Sequence, residues 1–247
     1  MRTRTAFTRP FLARYRRVYN TLIDVDVAYA KLRRHRRQLR AIQAALRVIA
    51  EHRAKGFLGV TLLHRHFRAE PGAVFVERPF TPSARRHATL LVTCPMPVAS
   101  APRRLAPHRF AFTRAGALQP LEFTTDPAAI RAHTRLADDE RLHTEVAGII
   151  AEHGLDSLLG VGIFVRSPSV ARAKSVFLEE TRFAERQSVV HVLPRLPRAP
   201  GRLIPTLWTS GSGGDLVCET ICQVYCSHPK VGIGYCGHQK DRHVGKT

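Results

Sequence analysis

Two stretches of this sequence, 101 residues apart, nearly repeat each other. IAEHRAKGFLGVTLLHR occupies residues 49–65 and IAEHGLDSLLGVGIFVR occupies residues 150–166, and eight of the seventeen positions are identical. In both copies a helix-like pattern leads through a short loop into a run of branched residues that is typical of a strand. Repetition of one supersecondary unit predicts two structurally equivalent halves, packed about a pseudo-twofold axis.

The pattern around the two copies predicts the rest of the fold. Helical spacing of apolar residues extends over about 10–55 and 128–153, and alternating or branched runs predict strands between and after these stretches. We therefore expect an α+β fold of two helix-plus-antiparallel-strand halves, with a C-terminal metal-binding helix/loop segment. The predicted body covers 1–193, with halves of about 1–127 and 128–193. The proline-rich PRLPRAPG then begins a linker and a Cys/His-rich segment, 194–247, packed on the body.

Four of the five cysteines lie in this C-terminal segment, which reads CETICQVYCSHPKVGIGYCGHQKDRH from residue 218. The four-residue spacing of the first three predicts one stripe of a helix, where neighbouring thiols have poor geometry for a disulfide. Thiolates beside imidazoles suit Zn²⁺, with Fe and Cu as alternatives. The predicted ligands here are Cys218, Cys222, Cys226, His228, Cys236 and His238.

A His-x-His pair ends the predicted strand of the first repeat. His64 and His66 should share a face about 7 Å apart, close enough to converge on one ion. The second repeat has Val165 and Ser167 at these positions. The pair is therefore either a set of metal ligands kept in one half, or two core histidines that bond elsewhere.

The strand GVTLLHRHF, the HRFAF and LQPLEFTTDP stretches and the Cys/His tail together resemble a group of uncharacterised fungal and actinobacterial proteins of similar length. The resemblance covers most of residues 50–243. It implies that these elements belong to one protein design. It implies no activity and no substrate.

The charge is strongly basic and unevenly placed. The net charge is +20, and residues 1–47 hold 13 basic and only 2 acidic side chains. Such a segment attracts polyanions such as nucleic acid, although a basic helix face also occurs simply in contact with water. No apolar signal region or membrane-length apolar run is present, which predicts a cytoplasmic location; the Arg-rich start would also suit an organelle transit peptide. The candidate nucleic-acid residues are Arg33, Arg34, Arg36, Arg37 and Arg40.

Three function classes follow from these features. In a metalloenzyme, His64 and His66 meet the thiolates of the tail or bind a separate ion with an open position. In the alternative, a closed structural zinc site stabilises a basic nucleic-acid-binding protein. In the third, the tail is a thiol cluster for metal delivery or redox sensing. We predict a metal-binding protein, with zinc as its cofactor and with possible enzymatic use, and we assign no catalytic residue.

Overall fold

The computed structural model describes residues 7–80, 90–168, 170, 175–195, 202–211 and 214–224. Among these residues no helix has the length and apolar content needed to cross a membrane. The helices are α1 (Arg9–Thr21), α2 (Val25–Arg34), α3 (Gln38–Glu51), α4 (Pro127–Ala137) and α5 (Glu140–Glu152). The strands are β1 (Leu58–Leu62), β2 (Ala73–Phe80), β3 (Leu90–Pro97), β4 (Ala106–Phe112), β5 (Leu118–Thr124), β6 (Leu159–Ile163), β7 (Val176–Arg182), β8 (Gln187–Leu193), β9 (Arg202–Ser210) and β10 (Leu216–Val224).

Both long helical patterns are interrupted in the structure. The pattern over 10–55 forms three helices, and the pattern over 128–153 forms two. Capping residues set the starts of α4 and α5: Asp126 accepts hydrogen bonds from the first amides of α4, and Asp139 accepts one from Leu142 N in α5. A side-chain acceptor at the N-cap satisfies amides that have no partner inside the helix, so each aspartate starts a helix.

The ten strands form one closed barrel in the order β1-β6-β4-β5-β2-β3-β8-β7-β10-β9, and β9 pairs back to β1. Together with helices α1–α5, this barrel confirms the α+β class that the sequence predicted. Eight of the neighbouring pairs are antiparallel, while β2–β5 and β7–β10 are parallel. The strand order is unchanged when β1–β5 are exchanged, one for one, with β6–β10. In addition, β1 and β6 pair with Val60 opposite Val161, so the two repeats meet at equivalent residues.

The helices α2–α5 cover one side of the barrel, where α3 packs on β1 and β9, α4 on β4, and α5 on β6. Val60, Val161, Phe110 and Trp208 belong to this apolar core. The alternate residues of β1 and β6 are small because they face the barrel interior. At Gly160 a Cβ atom would lie 2.1 Å from the carbonyl oxygen of Phe110, so only glycine permits this strand approach.

The predicted helix over the first cysteines of the tail is wrong. Cys218 and Cys222 lie on strand β10, which pairs with β9 and β7. A four-residue spacing places side chains on one stripe of a helix and also on one face of a regular strand, so spacing alone cannot separate the two. Residues 202–224 thus provide two strands of the same barrel as β1–β8. Cys226, His228, Cys236 and His238 lie outside the described residues.

Candidate metal centre

Four side chains with metal-binding atoms meet inside the barrel. His64 and His66 follow the end of β1, Glu179 lies on β7 and Cys222 on β10, and their ligand atoms all lie within 4.8 Å of one another. All four residues are buried, from 8% exposed at His66 to 0% at Cys222. A nitrogen, nitrogen, oxygen and sulfur set of this kind suits Zn²⁺ and neighbouring transition metals.

Strand register brings these residues together. β7 and β10 run parallel with Glu179 directly opposite Cys222, so both side chains point to the same face of the sheet. The histidines reach them from the segment after β1, because β1 pairs with β9 and β9 pairs with β10. β1 ends at Leu62, two residues before His64, so the predicted strand was too long. The rings nevertheless converge, with centroids 4.9 Å apart.

The hydrogen bond of His64 fixes its tautomer. Its Nδ1 lies 2.9 Å from the carbonyl oxygen of Leu62, which can only accept, so Nδ1 carries the proton. Nε2 is therefore the unprotonated nitrogen, and it lies 4.0 Å from Oε2 of Glu179. Burial lowers the pKa of His64 to about 3, which keeps the ring neutral. Neutral imidazole with its other nitrogen bonded to a carbonyl is the usual form of a metal-ligating histidine.

His66 and Glu179 contact each other directly. His66 Nε2 lies 2.9 Å from Glu179 Oε1, and its Nδ1 lies 2.8 Å from the hydroxyl of Thr181. Ser188 donates its hydroxyl to Glu179 as well. Burial by itself raises the pKa of Glu179, but His66 and Arg109 outweigh it and hold that pKa well below its usual value. Glu179 is thus a buried anion, the state in which a carboxylate binds a cation.

A second group of charged side chains continues the interior network. Arg109 lies 3.3 Å from Glu122 through Nε and 3.8 Å from Glu179 through Nη2. His108 Nε2 lies 3.7 Å from Glu77 and 3.8 Å from Glu122, and burial lowers the pKa of this histidine to about 3. Irregular pairing of β4 with β5 around Pro107 and Arg109 allows His108 and Arg109, though adjacent in the chain, to reach this same network.

Cys218 does not belong to the cluster. Its Sγ contacts the carbonyl oxygen of Thr220 at 3.3 Å. Burial and the neighbouring Glu219 raise the pKa of the Cys218 thiol to about 12. The group therefore stays protonated at neutral pH, whereas a metal-ligating cysteine is a thiolate.

The sequence-predicted ligands thus separate into three sets. His64, His66 and Cys222 come together, and Cys218 stays apart on the same strand as Cys222. The third set, which comprises Cys226, His228, Cys236 and His238, lies outside the described residues. Glu179 was missed. The SVFLEE stretch contains two adjacent glutamates, and the sequence does not say which one faces inward. In the structure Glu179 is 2% exposed, whereas Glu180 lies at the other face and pairs with His191.

Comparison with protein-family models, with curated proteins and with solved structures gives no match to this chain. The site and the fold therefore carry the functional argument by themselves.

Proposed function

We propose that this protein binds one divalent transition metal, zinc first among them, through His64, His66, Glu179 and Cys222. The observation that carries the proposal is the meeting of four ligand atoms of the right chemical types within 4.8 Å of one another. Tetrahedral zinc with bonds of about 2.0–2.3 Å requires ligand atoms about 3.3–3.8 Å apart. Binding therefore needs the widest separation, up to 4.8 Å, to shorten by about 1–1.5 Å and the 2.9 Å contact of His66 Nε2 with Glu179 Oε1 to lengthen slightly, which side-chain rotation can provide.

The charge of the surroundings favours a cation. The interior network contains the carboxylates of Glu77, Glu122 and Glu179 against the guanidinium groups of Arg109 and Arg166. With all five groups ionised the network carries one excess negative charge, and a Cys222 thiolate would add another. A divalent ion balances both, which offsets the cost of burying these groups.

The metalloenzyme prediction and the closed-site prediction differ in the number of protein ligands. Catalytic zinc keeps three protein ligands and an open position, whereas structural zinc has four. Four protein donors favour a closed resting site. Catalysis would require one of the four ligands to leave the metal and open a coordination position. Glu179 is the candidate, because its carboxylate could instead pair with the guanidinium group of Arg109 beside it.

Metal analysis of the full-length protein tests the ligand set. We expect one equivalent of zinc in the wild type and its loss in a His64→Ala/His66→Ala variant, in Glu179→Gln and in Cys222→Ser. Cys218→Ser is the matched control, since it removes a thiol four residues away on the same strand and should keep the metal. Equal loss in the control, or no metal in freshly purified wild type, contradicts the proposal. Retention in the histidine variant with loss in Cys226→Ser/Cys236→Ser would favour a site in the tail.

A pseudo-duplicated origin is a second part of the proposal. Parallel registers place Glu77 opposite Thr124 on β2–β5, as they place Glu179 opposite Cys222 on β7–β10. The half that holds Glu77 thus has Thr124 where the other has Cys222. The proposed site therefore draws on both halves, with His64 and His66 from the first and Glu179 and Cys222 from the second. With Val165 and Ser167 in place of the histidines and Thr124 in place of Cys222, the pseudo-equivalent position keeps only Glu77, which supports one metal-binding site and one position that lacks the other ligands.

The alternative function, nucleic-acid binding, has one supporting observation. The five candidate arginines around the α2–α3 turn are all exposed, and none forms an ion pair with a described residue. If these arginines bind phosphates, the affinity for labelled DNA or RNA should fall steeply as the salt concentration rises. The logarithm of the association constant should fall by about 0.9 for each tenfold increase in salt and each phosphate contacted. Neutralising Arg33, Arg34, Arg36 and Arg37 to glutamine should reduce that slope. An unchanged slope contradicts the alternative.

A further inference from the structure

The barrel interior contains a small cavity next to the proposed metal centre. Its volume is about 20 Å³, enough for one or two water molecules. Glu77, Arg109, Arg166 and Thr220 line it with polar atoms, and apolar side chains such as Val190 close the rest. Thr220 lies two residues before Cys222 on β10, so the cavity borders the metal-binding cluster.

Arg166, one of the residues that line this cavity, has an unused hydrogen-bond donor. Its Nη1 donates to the carbonyl oxygens of Ile163 and Val165, and its Nη2 lies 3.1 Å from the Glu77 carboxylate. Its Nε is buried and has no hydrogen-bond partner among the described residues. The side chain is only 7% exposed, so this N–H cannot obtain a partner from bulk water. A buried donor without an acceptor destabilises the folded state, and an acceptor placed in the cavity would remove that cost.

Arg109, which also lines the cavity, has unused donors as well. Its guanidinium lies 3.3 Å and 3.8 Å from two carboxylates, but within the described part of the chain it forms no hydrogen bond of good geometry. Its side chain is 14% exposed. Arginine presents donors in a planar fork that matches two oxygens of a carboxylate. Two guanidinium groups with spare donors around one small space are suited to a planar oxyanion.

We propose that this cavity is a binding subsite for a small planar oxyanion, either the carboxylate of a small acid or bicarbonate, held by Arg109 and Arg166. The expected dependence of oxyanion binding on metal rests on the proposed metal site. With its three carboxylates and two guanidinium groups ionised and its histidines neutral, the metal-free network has an excess of negative charge. An added anion is disfavoured in that state, and a bound divalent cation shifts the charge balance in favour of the anion. Affinity for the oxyanion should therefore rise when the metal is loaded.

Formate and bicarbonate, both labelled with ¹³C, are suitable probes in separate titrations of the full chain followed by ¹³C line broadening. We expect saturable binding by at least one of them to the zinc-loaded protein, and at least tenfold weaker binding after chelation. Arg166→Lys keeps a positive charge beside Glu77 but loses the Nε donor, and should weaken binding at least tenfold. Arg65→Lys is the matched control, because Arg65 is the equivalent arginine of the first repeat and contacts Leu22 and Asp24 instead.

A second variant tests the cavity without touching a charged group. Val190→Ile adds one methylene to the lining and should abolish binding while the protein stays folded. If zinc is bound at one equivalent and neither probe binds, or if Val190→Ile leaves binding intact, the subsite proposal is overturned and the metal proposal stands. If zinc does not bind, the metal proposal fails; probe binding that still depends on Arg166 and Val190 would then support the subsite, and no binding would overturn it as well.

Discussion

Replacement of Glu179 by glutamine distinguishes the contribution of the buried ion network to stability from that of the metal which the network is proposed to hold. Glutamine keeps the size of the side chain and one oxygen for the Ser188 hydroxyl, but it removes the charge that faces His66 and Arg109. In chelator, the variant should lose about 3 kcal/mol of unfolding free energy, the lower end for removing one partner of a buried ion pair.

Zinc should widen this difference. A ligand at 1,000 times its dissociation constant stabilises the folded state by about 4 kcal/mol. The wild type should gain about that much, whereas the glutamine variant, which has lost a charged ligand, should gain less than about 1 kcal/mol. The gap between the two proteins should therefore grow to about 6 kcal/mol in zinc.

Urea unfolding followed by the fluorescence of Trp208, the only tryptophan, measures both gaps. The matched control is Glu180→Gln on the same strand, because Glu180 faces away from the cluster and pairs with His191. This control should respond to zinc as the wild type does. An unfolding midpoint of the wild type that is the same in zinc and in chelator would refute the reasoning, and so would equal zinc responses of the two glutamine variants.

Three further predictions concern the fold around the site. Burial lowers the pKa of His108 to about 3, so its contribution to stability is present above the usual pKa of 6.5 and is lost as pH falls toward 3. In a plot of unfolding free energy against pH, measured with urea, His108→Gln should reduce the slope between pH 6.5 and 4 by up to about 1.4 kcal/mol per pH unit. An unchanged slope contradicts this prediction. The pKa of His52 is raised, chiefly by a hydrogen bond to Asp139, so its contribution to stability is present below pH 6.5 and is lost as pH rises through the pKa of the folded state. Between pH 6 and 9 the melting temperature should therefore decline less for His52→Ala than for the wild type. Gly160→Ala should destabilise the barrel by about 3 kcal/mol, because its Cβ would meet the backbone of β4. Gly148→Ala, whose Cβ would lie in open space on α5, should stabilise the protein by about 1 kcal/mol. Equal melting temperatures for the two variants would contradict the close approach of β4 and β6.

Local patterns in the sequence predicted most individual elements. The helices and strands β1–β8 lie in the stretches where apolar spacing, alternating or branched runs and turn residues predicted them, because those signals depend only on near neighbours. The helix breaks were missed, since a capping aspartate such as Asp139 interrupts a periodic pattern only slightly. The strand at Cys218 and Cys222 was also missed, because its partners β7 and β9 decide it.

The sequence by itself determined the repeated motif, the basic N-terminal segment and the candidate histidine and cysteine ligands. Only the tertiary structure decided that the sheet closes into one barrel, that Cys222 rather than Cys218 meets His64 and His66, and that Glu179 completes the group. The physical reason is that strand register and inward direction depend on pairing between residues far apart in the chain, from 43 positions for Glu179 and Cys222 to 148 positions for Val60 and Trp208. A buried carboxylate becomes a ligand only when that pairing places it beside the imidazoles.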